Sequence, residues 1–177
     1  VLSYVQEAAT WGLQIGEYSL DFPKVVKRSR DVSDRLSKGV AALLKKYGCA
    51  HVAGRGRIVR APGGDGFLVE VEGADGQSRS LATQRVVVAT GARPRQIPGL
   101  PFDREVVLTS REAMLLPEVP KRLLVIGAGA IGVEFAYMYR VFGAEVTLVE
   151  MLERVLPVED DEVSAELEKI YRKQGMA

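Results

Sequence analysis

The hydrophobic positions near the amino end of the chain follow a helical period. Apolar residues recur at helical spacing over residues 1–13 and predict an amphipathic helix. A second apolar stripe over residues 25–47 predicts a long helix, which Asp21 caps and Gly48 ends. The first quarter of the chain is therefore predicted to be mostly helical.

Shorter segments after the long helix change to the period of β-strands. Residues 51–59, 67–72 and 78–82 alternate or cluster as strands do. Turn sequences that end in Asp-Gly separate them at 62–66 and 73–76. These segments predict a small antiparallel meander.

The apolar run at residues 85–89 differs from the meander segments. Its successive apolar residues predict a strand that is buried on both faces. Pro94, Pro98 and Pro101 follow, and they predict an extended segment because proline is incompatible with a helix interior. A short helix is then predicted over residues 109–116, beginning at a Thr-Ser cap.

A compact apolar strand over residues 123–126 leads directly into glycines 127, 129 and 132. A helical pattern follows over 130–142, then a second strand over 145–149 that Glu150 closes. This order of strand, glycine-rich turn, helix, strand and acid is typical of a dinucleotide-binding unit. An acidic helix is predicted after it, over residues 160–173.

Each glycine of this turn has its own predicted role. Gly127 allows the tight turn, Gly129 leaves room for a pyrophosphate, and Gly132 lets helix and strand pack closely. The first amides of the helix would bind the phosphates. The alternative is a glycine-rich turn that binds no ligand.

Glu150 bears on the choice of nucleotide. We expect its carboxylate to accept hydrogen bonds from both ribose hydroxyls of the adenosine half. Its charge would repel a 2′-phosphate, and in the residues that follow only Arg154 could compensate. The sequence therefore favours NAD over NADP.

Composition and charge exclude several classes of protein. The 177 residues are 47% apolar and 27% charged, which favours a folded core over disorder. The net charge of +1 argues against a nucleic-acid partner, and the basic run at 24–30 is interpreted as a solvated helix face. No apolar run reaches the roughly 18 residues of a membrane span. A single cysteine fits a reducing compartment, which predicts the cytoplasm, or the mitochondrial matrix in a eukaryote.

No residue of the chain is predicted to be catalytic or to bind a metal. Cys49 lacks a partner cysteine and is interpreted as a small buried residue. His51, the single histidine, has no metal-ligand spacing and is interpreted as a structural or surface residue.

The motifs VVVATGARPRQIPG, VIGAGAIGVE and VTLVE, with a proline-bounded helix between the first two, closely resemble those of the pyridine nucleotide-disulfide oxidoreductases. The resemblance spans nearly the whole chain. It implies an α/β, glutathione-reductase-like FAD/NAD(P)-binding two-domain Rossmann-type fold, incomplete here, with a small antiparallel β-meander. Residues 1–118 would be part of the FAD-binding domain without its N-terminal fingerprint, and 119–177 the first part of the NAD-binding domain.

The resemblance also implies which residues bind the cofactors. Gly56 would contact the adenine of FAD, and Thr90, Gly91 and Ala92 would lie by the flavin nucleotide. Glu134 resembles a family glutamate near the nicotinamide–flavin contact, although alone it would be interpreted as a surface carboxylate. The full set implied for NAD is Gly127, Ala128, Gly129, Ala130, Ile131, Gly132, Val133, Glu134 and Glu150.

Within the family, the sequence is most similar to the flavoproteins of 2-oxo acid dehydrogenase complexes. These homodimers reoxidise dihydrolipoamide, carried by the lipoyl domain of an acyltransferase subunit, and pass its electrons through a disulfide and FAD to NAD⁺. The family's CxxxxC pair and its His–Glu base are absent. We therefore expect an internal portion of a longer polypeptide, inactive alone.

Two alternatives remain open from the sequence. One is a sister flavoprotein reductase, of the mercuric or glutathione type or an NADH oxidase, because it would share every motif present. The other is a non-catalytic NAD-binding redox module.

Overall fold

The computed structural model describes residues 1–61 and 63–177, which form two compact units. One unit comprises Val1–Arg30 and Gln96–Ala177, and the other Asp31–Arg95. The domain division predicted at residue 118 stays a prediction. Pro62, in the first predicted turn, lies outside the described residues.

The amino end forms two short helices where one amphipathic helix was predicted. Helix α1 spans Leu2–Gln6, and a 3₁₀ helix follows at Ala8–Trp11. The amide and the hydroxyl of Thr10 both donate to the carbonyl of Glu7, at 2.9 and 2.5 Å. These bonds to the third residue back tighten the helix, so the apolar spacing is not realised as one regular helix.

The long helix α2 spans Phe22–Lys46, as predicted. The Asp21 carboxylate accepts a hydrogen bond from the Lys24 amide at 3.0 Å, which satisfies one of the free donors at the helix start. Gly48, with φ of 68°, follows its last turn. Phe22 is buried, and its ring packs edge-on against Phe142 with centroids 5.2 Å apart.

The predicted meander is a three-stranded antiparallel sheet in the order β1-β2-β3. Strand β1 spans Arg55–Arg60, β2 spans Phe67–Glu72, and β3 spans Ser78–Thr83. Just before β1, Gly54 has a φ of 156°, and a Cβ there would lie 2.5 Å from the Glu72 carbonyl oxygen. The meander therefore requires glycine at this position.

The strand predicted at residues 85–89 is absent. No described strand pairs with this run, and Val87 and Val88 are 89% and 68% exposed. A strand that is buried on both faces needs hydrogen-bonded neighbours and a layer on each side, and the described residues supply neither here. The segment after it forms no helix or strand, and a turn there is closed by an isolated bridge between Ile97 and Leu100. The extended conformation expected for it stays a prediction.

Helix α3 spans Ser110–Ala113 and is shorter than predicted. Thr109 caps it: the Thr109 hydroxyl accepts from the Arg111 amide at 3.2 Å, and Glu112 accepts from the Thr109 amide at 3.0 Å. The helix ends before the segment reaches Leu116, which packs against the main core.

The strand–helix–strand unit predicted around the glycine-rich turn is confirmed. Strand β4 spans Arg122–Ile126, helix α4 spans Ala130–Val141, and strand β5 spans Glu145–Val149. The two strands are parallel and pair from Arg122 with Glu145 to Ile126 with Val149. Buried residues of this unit join others in one core cluster: Phe22, Ala128, Val133, Ala136, Tyr139, Ala144, Val146, Tyr171 and Met176.

Helix α5 spans Asp161–Lys173 and packs on this unit. The buried Tyr171 hydroxyl donates to the Val133 carbonyl of α4 at 2.8 Å. Beyond α5, Ala177 exchanges backbone hydrogen bonds with Val146 and Leu148, at 3.2 and 2.7 Å, and so runs along β5. Among the described residues, no helix has the length and apolar character to cross a membrane.

Candidate dinucleotide site

The glycine-rich turn begins where β4 ends. Gly127 has a φ of 100°, a conformation that residues with a side chain rarely adopt. Its amide donates to the Val149 carbonyl at 2.8 Å, so the parallel ladder continues into the turn. The chain then reverses at the carboxyl ends of two parallel strands, where ligands bind in open α/β sheets.

The surroundings of Gly129 and Gly132 differ. A Cβ at Gly132 would lie 1.8 Å from the Gly127 carbonyl oxygen, so the turn and the helix can approach each other only without a side chain. A Cβ at Gly129 would meet no protein atom within 4 Å. The space beside Gly129 is therefore open to a ligand, while the space beside Gly132 is filled by the backbone.

Helix α4 presents its amino end at the same place. Gly129 is its N-cap residue, and the first amides of an α-helix have no carbonyl partner within the helix. Ala130 and Ile131 are exposed beside it, and Glu134 is exposed one turn further along. This arrangement provides the amide donors and the positive end of a helix dipole that bind phosphate groups.

Two of the predicted site residues point into the core instead. Ala128 is fully buried and Val133 is 6% exposed. Their side chains pack against other core residues, so a ligand would reach them only through backbone atoms.

Glu150 is bound to the glycine-rich turn. One carboxylate oxygen, Oε2, accepts from the Ala128 amide at 2.7 Å. The other, Oε1, accepts from the amides of Met151 and Leu152 at 2.8 and 3.0 Å. A carboxylate has about four lone-pair positions, so about one remains for a ribose hydroxyl in this arrangement.

These amides also fix the charge of Glu150. The hydrogen bond from the Ala128 amide, followed by that from Leu152, lowers the pKa of the carboxyl group below its ordinary range. The group is therefore negatively charged at neutral pH, which disfavours a second anion next to it.

The residues expected to bind FAD lie in the other unit. Gly56 is part of β1, and a Cβ there would lie 3.7 Å from Val69 Cγ1, an ordinary contact. Thr90, Gly91 and Ala92 are exposed. Gly91 has a φ of 75°, so the chain turns there in a conformation that favours glycine.

Cys49 is exposed, so its interpretation as a buried residue is wrong. Its amide donates to the Leu44 carbonyl at 2.9 Å, which places it just past the exposed end of α2. His51 is exposed as well. Among the described residues, no group of His, Cys, Asp or Glu side chains is arranged to hold a metal ion.

Two residues that follow β5 in the chain support the turn and were not predicted from the sequence. The Leu156 amide donates to the Ala128 carbonyl at 2.8 Å, and Tyr171 holds the Val133 carbonyl of α4. The apolar stripe of α5 could have indicated that Tyr171 is buried. It could not have indicated the hydrogen-bond partner, since that contact joins residues far apart in the sequence.

Comparisons of sequence identify relatives across nearly the whole chain. The profile of the family described as pyridine nucleotide-disulphide oxidoreductase matches residues 5–177. Dihydrolipoyl dehydrogenase of Chlorobaculum tepidum is 44% identical over 99% of the chain, and the match covers 36% of that relative. The enzyme of the same name from Bacillus subtilis is 39% identical over 97% of the chain, covering 37% of its own length. The chain thus spans a little over a third of the curated relatives it matches.

Solved structures also resemble the chain over most of its length. LpdA from Mycobacterium tuberculosis superposes with a TM-score of 0.86 at 30% identity, over 99% of this chain and 38% of that one. The HOCl-induced flavoprotein disulfide reductase RclA from Escherichia coli gives 0.69 at 27% identity, over 89% and 34%. The fold class inferred from the sequence is confirmed, and the chain belongs to the pyridine nucleotide-disulphide oxidoreductase family.

Proposed function

We propose that these residues are part of a dihydrolipoamide dehydrogenase, an oxidoreductase that uses FAD and NAD. The observation that carries the proposal is the match, at 39–44% identity over nearly the whole chain, to curated dihydrolipoyl dehydrogenases. The geometry of the glycine-rich turn supports it, because that turn has the features of a dinucleotide site.

The described residues fit a bound NAD. Gly129 leaves open space for a pyrophosphate beside the amino end of α4, whose amides would hold it. Glu150 would accept a hydroxyl of the adenosine ribose on the free position of its carboxylate. Its negative charge supports a preference for NAD over NADP.

FAD, when bound, would supply two-electron redox chemistry between a reduced cysteine pair and NAD⁺. Gly56, Thr90, Gly91 and Ala92 are proposed to line the flavin nucleotide, and their exposure leaves them accessible. Glu134, exposed in the first turns of α4, is proposed to lie near the nicotinamide. The role of the described residues is to bind and orient the cofactors.

The partners follow from the proposed activity. The substrate would be dihydrolipoamide on the lipoyl domain of an acyltransferase subunit, within a 2-oxo acid dehydrogenase complex. The protein would act as a homodimer, in the cytoplasm or in the mitochondrial matrix of a eukaryote. The names of the curated relatives support the dihydrolipoamide substrate.

The direct test is to purify the full-length protein and record its flavin spectrum and turnover. We expect a yellow protein that reduces NAD⁺ with dihydrolipoamide and reacts poorly with glutathione disulfide or mercuric ion. The 177-residue chain, expressed alone as the matched control, should neither retain flavin nor turn over. Retention of NAD without flavin absorbance in the full-length protein would contradict the proposal and favour a non-catalytic NAD-binding module.

A sister flavoprotein disulfide reductase is the second candidate. The structural similarity to RclA, with a TM-score of 0.69, specifically favours it, since that protein is named as such a reductase. The substrate panel separates the two. Faster turnover with another disulfide, with mercuric ion or with oxygen than with dihydrolipoamide would select the sister reductase.

A further inference from the structure

The loop after Glu150 holds Arg154, whose side chain is partly exposed and engaged by neighbouring residues. The two terminal nitrogens of Arg154 are occupied: Nη1 forms an ion pair with Asp161, and Nη2 donates to the carbonyls of Pro157 and Glu159, at 3.3 Å each. The remaining nitrogen, Nε, is buried and has no hydrogen-bond partner among the described residues. The guanidinium group is thus directed toward the start of α5.

This arginine borders the same cavity as Glu150. The cavity has a volume of about 160 Å³ and lies between the carboxyl end of β5 and helix α5. Arg172 also lines it, but its guanidinium group is paired with Glu168 on the same helix at 2.6 Å. Both arginines around the cavity are therefore engaged by carboxylates.

An arginine near the ribose is the usual means of binding a 2′-phosphate. Arg154 stands four positions after Glu150 and would be suitable if its guanidinium group were free. Binding a phosphate would require the group to leave Asp161 and two carbonyl oxygens. The ion pair would thus lower the affinity for a 2′-phosphorylated dinucleotide, in addition to the repulsion by Glu150.

We infer that Asp161 is a specificity-determining residue, which favours NAD over NADP by holding Arg154 away from the 2′ position of the adenosine ribose. The inference rests on the proposed function as an NAD-dependent oxidoreductase. Asp161 is not needed to start α5, because the preceding Asp160 caps that helix through the amides of Glu162 and Val163. Asp161 can therefore be changed while the helix cap remains.

The test compares Asp161→Asn with Glu162→Gln in the full-length flavoprotein. Both variants remove one negative charge from the first turn of α5. Of these two residues, Asp161 is the one that forms the ion pair with Arg154. Titration calorimetry would measure the affinity for NADP⁺ and NAD⁺, and steady-state assays would give kcat/KM for each. In Asp161→Asn we expect about a fivefold gain in NADP⁺ affinity, the scale of an exposed ion pair, with NAD⁺ unchanged. Glu162→Gln should change neither.

Two Arg154 variants identify the source of the gain. Arg154→Ala combined with Asp161→Asn should abolish it. Arg154→Ala alone should leave NADP⁺ affinity unchanged, and this variant tests the inference even where Asp161→Asn fails to fold. Weaker NADP⁺ binding in Arg154→Ala alone would show that Arg154 already contacts the phosphate and would overturn the inference. An equal gain in Asp161→Asn and Glu162→Gln would overturn it too, as a general effect of charge.

Failure of the proposed function would give a different result from failure of the inference about Asp161. A parent protein that binds neither dinucleotide would refute the proposed function and this inference together. A parent that binds NAD⁺ preferentially, but whose Asp161→Asn variant gains nothing, would refute this inference alone.

Discussion

The sequence predicts a strand leading into the glycine-rich turn and another at residues 85–89, but only the first is present in the structure. Around the turn, β4 and β5 pair with each other and α4 covers them. At 85–89, Val87 and Val88 are exposed and no described strand pairs with the run. The difference lies in where each segment finds its partners.

A strand whose partners are close in sequence can be formed by the described residues. Strand β5 follows β4 after a single helix, and Gly127 and Val149 extend their ladder into the turn. A strand in the middle of a sheet needs neighbours on both edges, and these can come from anywhere in a chain. The candidate NAD site is therefore organised by local contacts, whereas the candidate flavin segment is not.

The largest expected effect comes from Gly132→Ala in the full-length protein. The new Cβ would collide with the Gly127 carbonyl oxygen, which belongs to the backbone and has little freedom to move. We expect the free energy of unfolding to fall by about 2–3 kcal/mol, and NAD⁺ binding to be lost. Denaturant unfolding and calorimetry would measure the two effects.

Gly129→Ala is the matched control for this variant. Its Cβ would meet no protein atom within 4 Å, and its φ of −71° suits alanine. We expect little change in stability but weaker NAD⁺ binding, because the methyl group would occupy the space proposed for the pyrophosphate. If both variants bound NAD⁺ as the parent does, the site assignment would be wrong.

A second pair of glycines, Gly54 and Gly56, tests the unit that holds the residues proposed to bind FAD. Gly54→Ala places a Cβ against the Glu72 carbonyl, so we expect it to destabilise the meander by about 1–3 kcal/mol. Gly56→Ala has room for its Cβ and should leave stability within about 0.5 kcal/mol of the parent.

Flavin retention shows whether or not the backbone at Gly56 contacts FAD. If the backbone there contacts FAD, the alanine variant should retain less flavin after dialysis, although it unfolds at the parent's denaturant concentration. Full flavin content in this variant would leave Gly56 with no role in cofactor binding.

An intermediate effect is expected for Glu150→Gln. Three amides donate to the carboxylate, and a glutamine has only one oxygen, so its NH₂ group must face at least one of these donors. Hydrogen bonds to a charged group contribute about 1.5–3 kcal/mol, so we expect NAD⁺ affinity to fall by about 10- to 100-fold. Glu153→Gln, an exposed neighbour, is the control and should bind NAD⁺ normally.

The same carboxylate should give the protein an acid-sensitive contribution to stability. Its pKa is lower in the folded state than the ordinary value of 4.5, so the contribution is present above pH 4.5 and is lost as the pH falls through the folded-state pKa. Unfolding midpoints measured from pH 6 to pH 3 should decline less in Glu150→Gln than in Glu153→Gln. Parallel curves would contradict the hydrogen bonds assigned to Glu150.

The smallest effect is expected for Tyr171→Phe, which removes the donor to the Val133 carbonyl and leaves the ring in place. We expect a loss of about 1 kcal/mol in unfolding free energy, and NAD⁺ affinity within about twofold of the parent. Tyr137→Phe, on the exposed face of α4, is the control and should change neither. A large loss of NAD⁺ affinity in Tyr171→Phe would mean that α5 positions the site more directly than its contacts indicate.

The sequence was sufficient to predict the parts of the fold whose contacts join residues close together in the chain. The cap of α2 at Asp21, the meander and the unit from β4 to β5 follow from period and turn residues, and all are present. The helix predicted over residues 1–13 is interrupted because the side chain and amide of Thr10 both bind the Glu7 carbonyl, and spacing alone does not show such a bond. The exposure of Cys49 could not be predicted either, since it depends on what covers the end of α2.

For the candidate site, the residue types were predictable but their hydrogen bonds were not. The sequence indicated Glu150 as a ribose ligand, whereas the structure shows three backbone amides already on its carboxylate. The engagement of Arg154 by Asp161 depends on how the chain turns between β5 and α5. Leu156, with a φ of 46°, lies in that turn, and its sequence gives no signal for this conformation.

Ala128 has both of its peptide groups held by the segment that follows β5. Its amide is bound by Glu150 and its carbonyl by the amide of Leu156. Any attempt to re-engineer the proposed coenzyme preference by exchanging the acid would therefore also release one side of the glycine-rich turn. A successful redesign would need to supply a new acceptor for that amide in the same step.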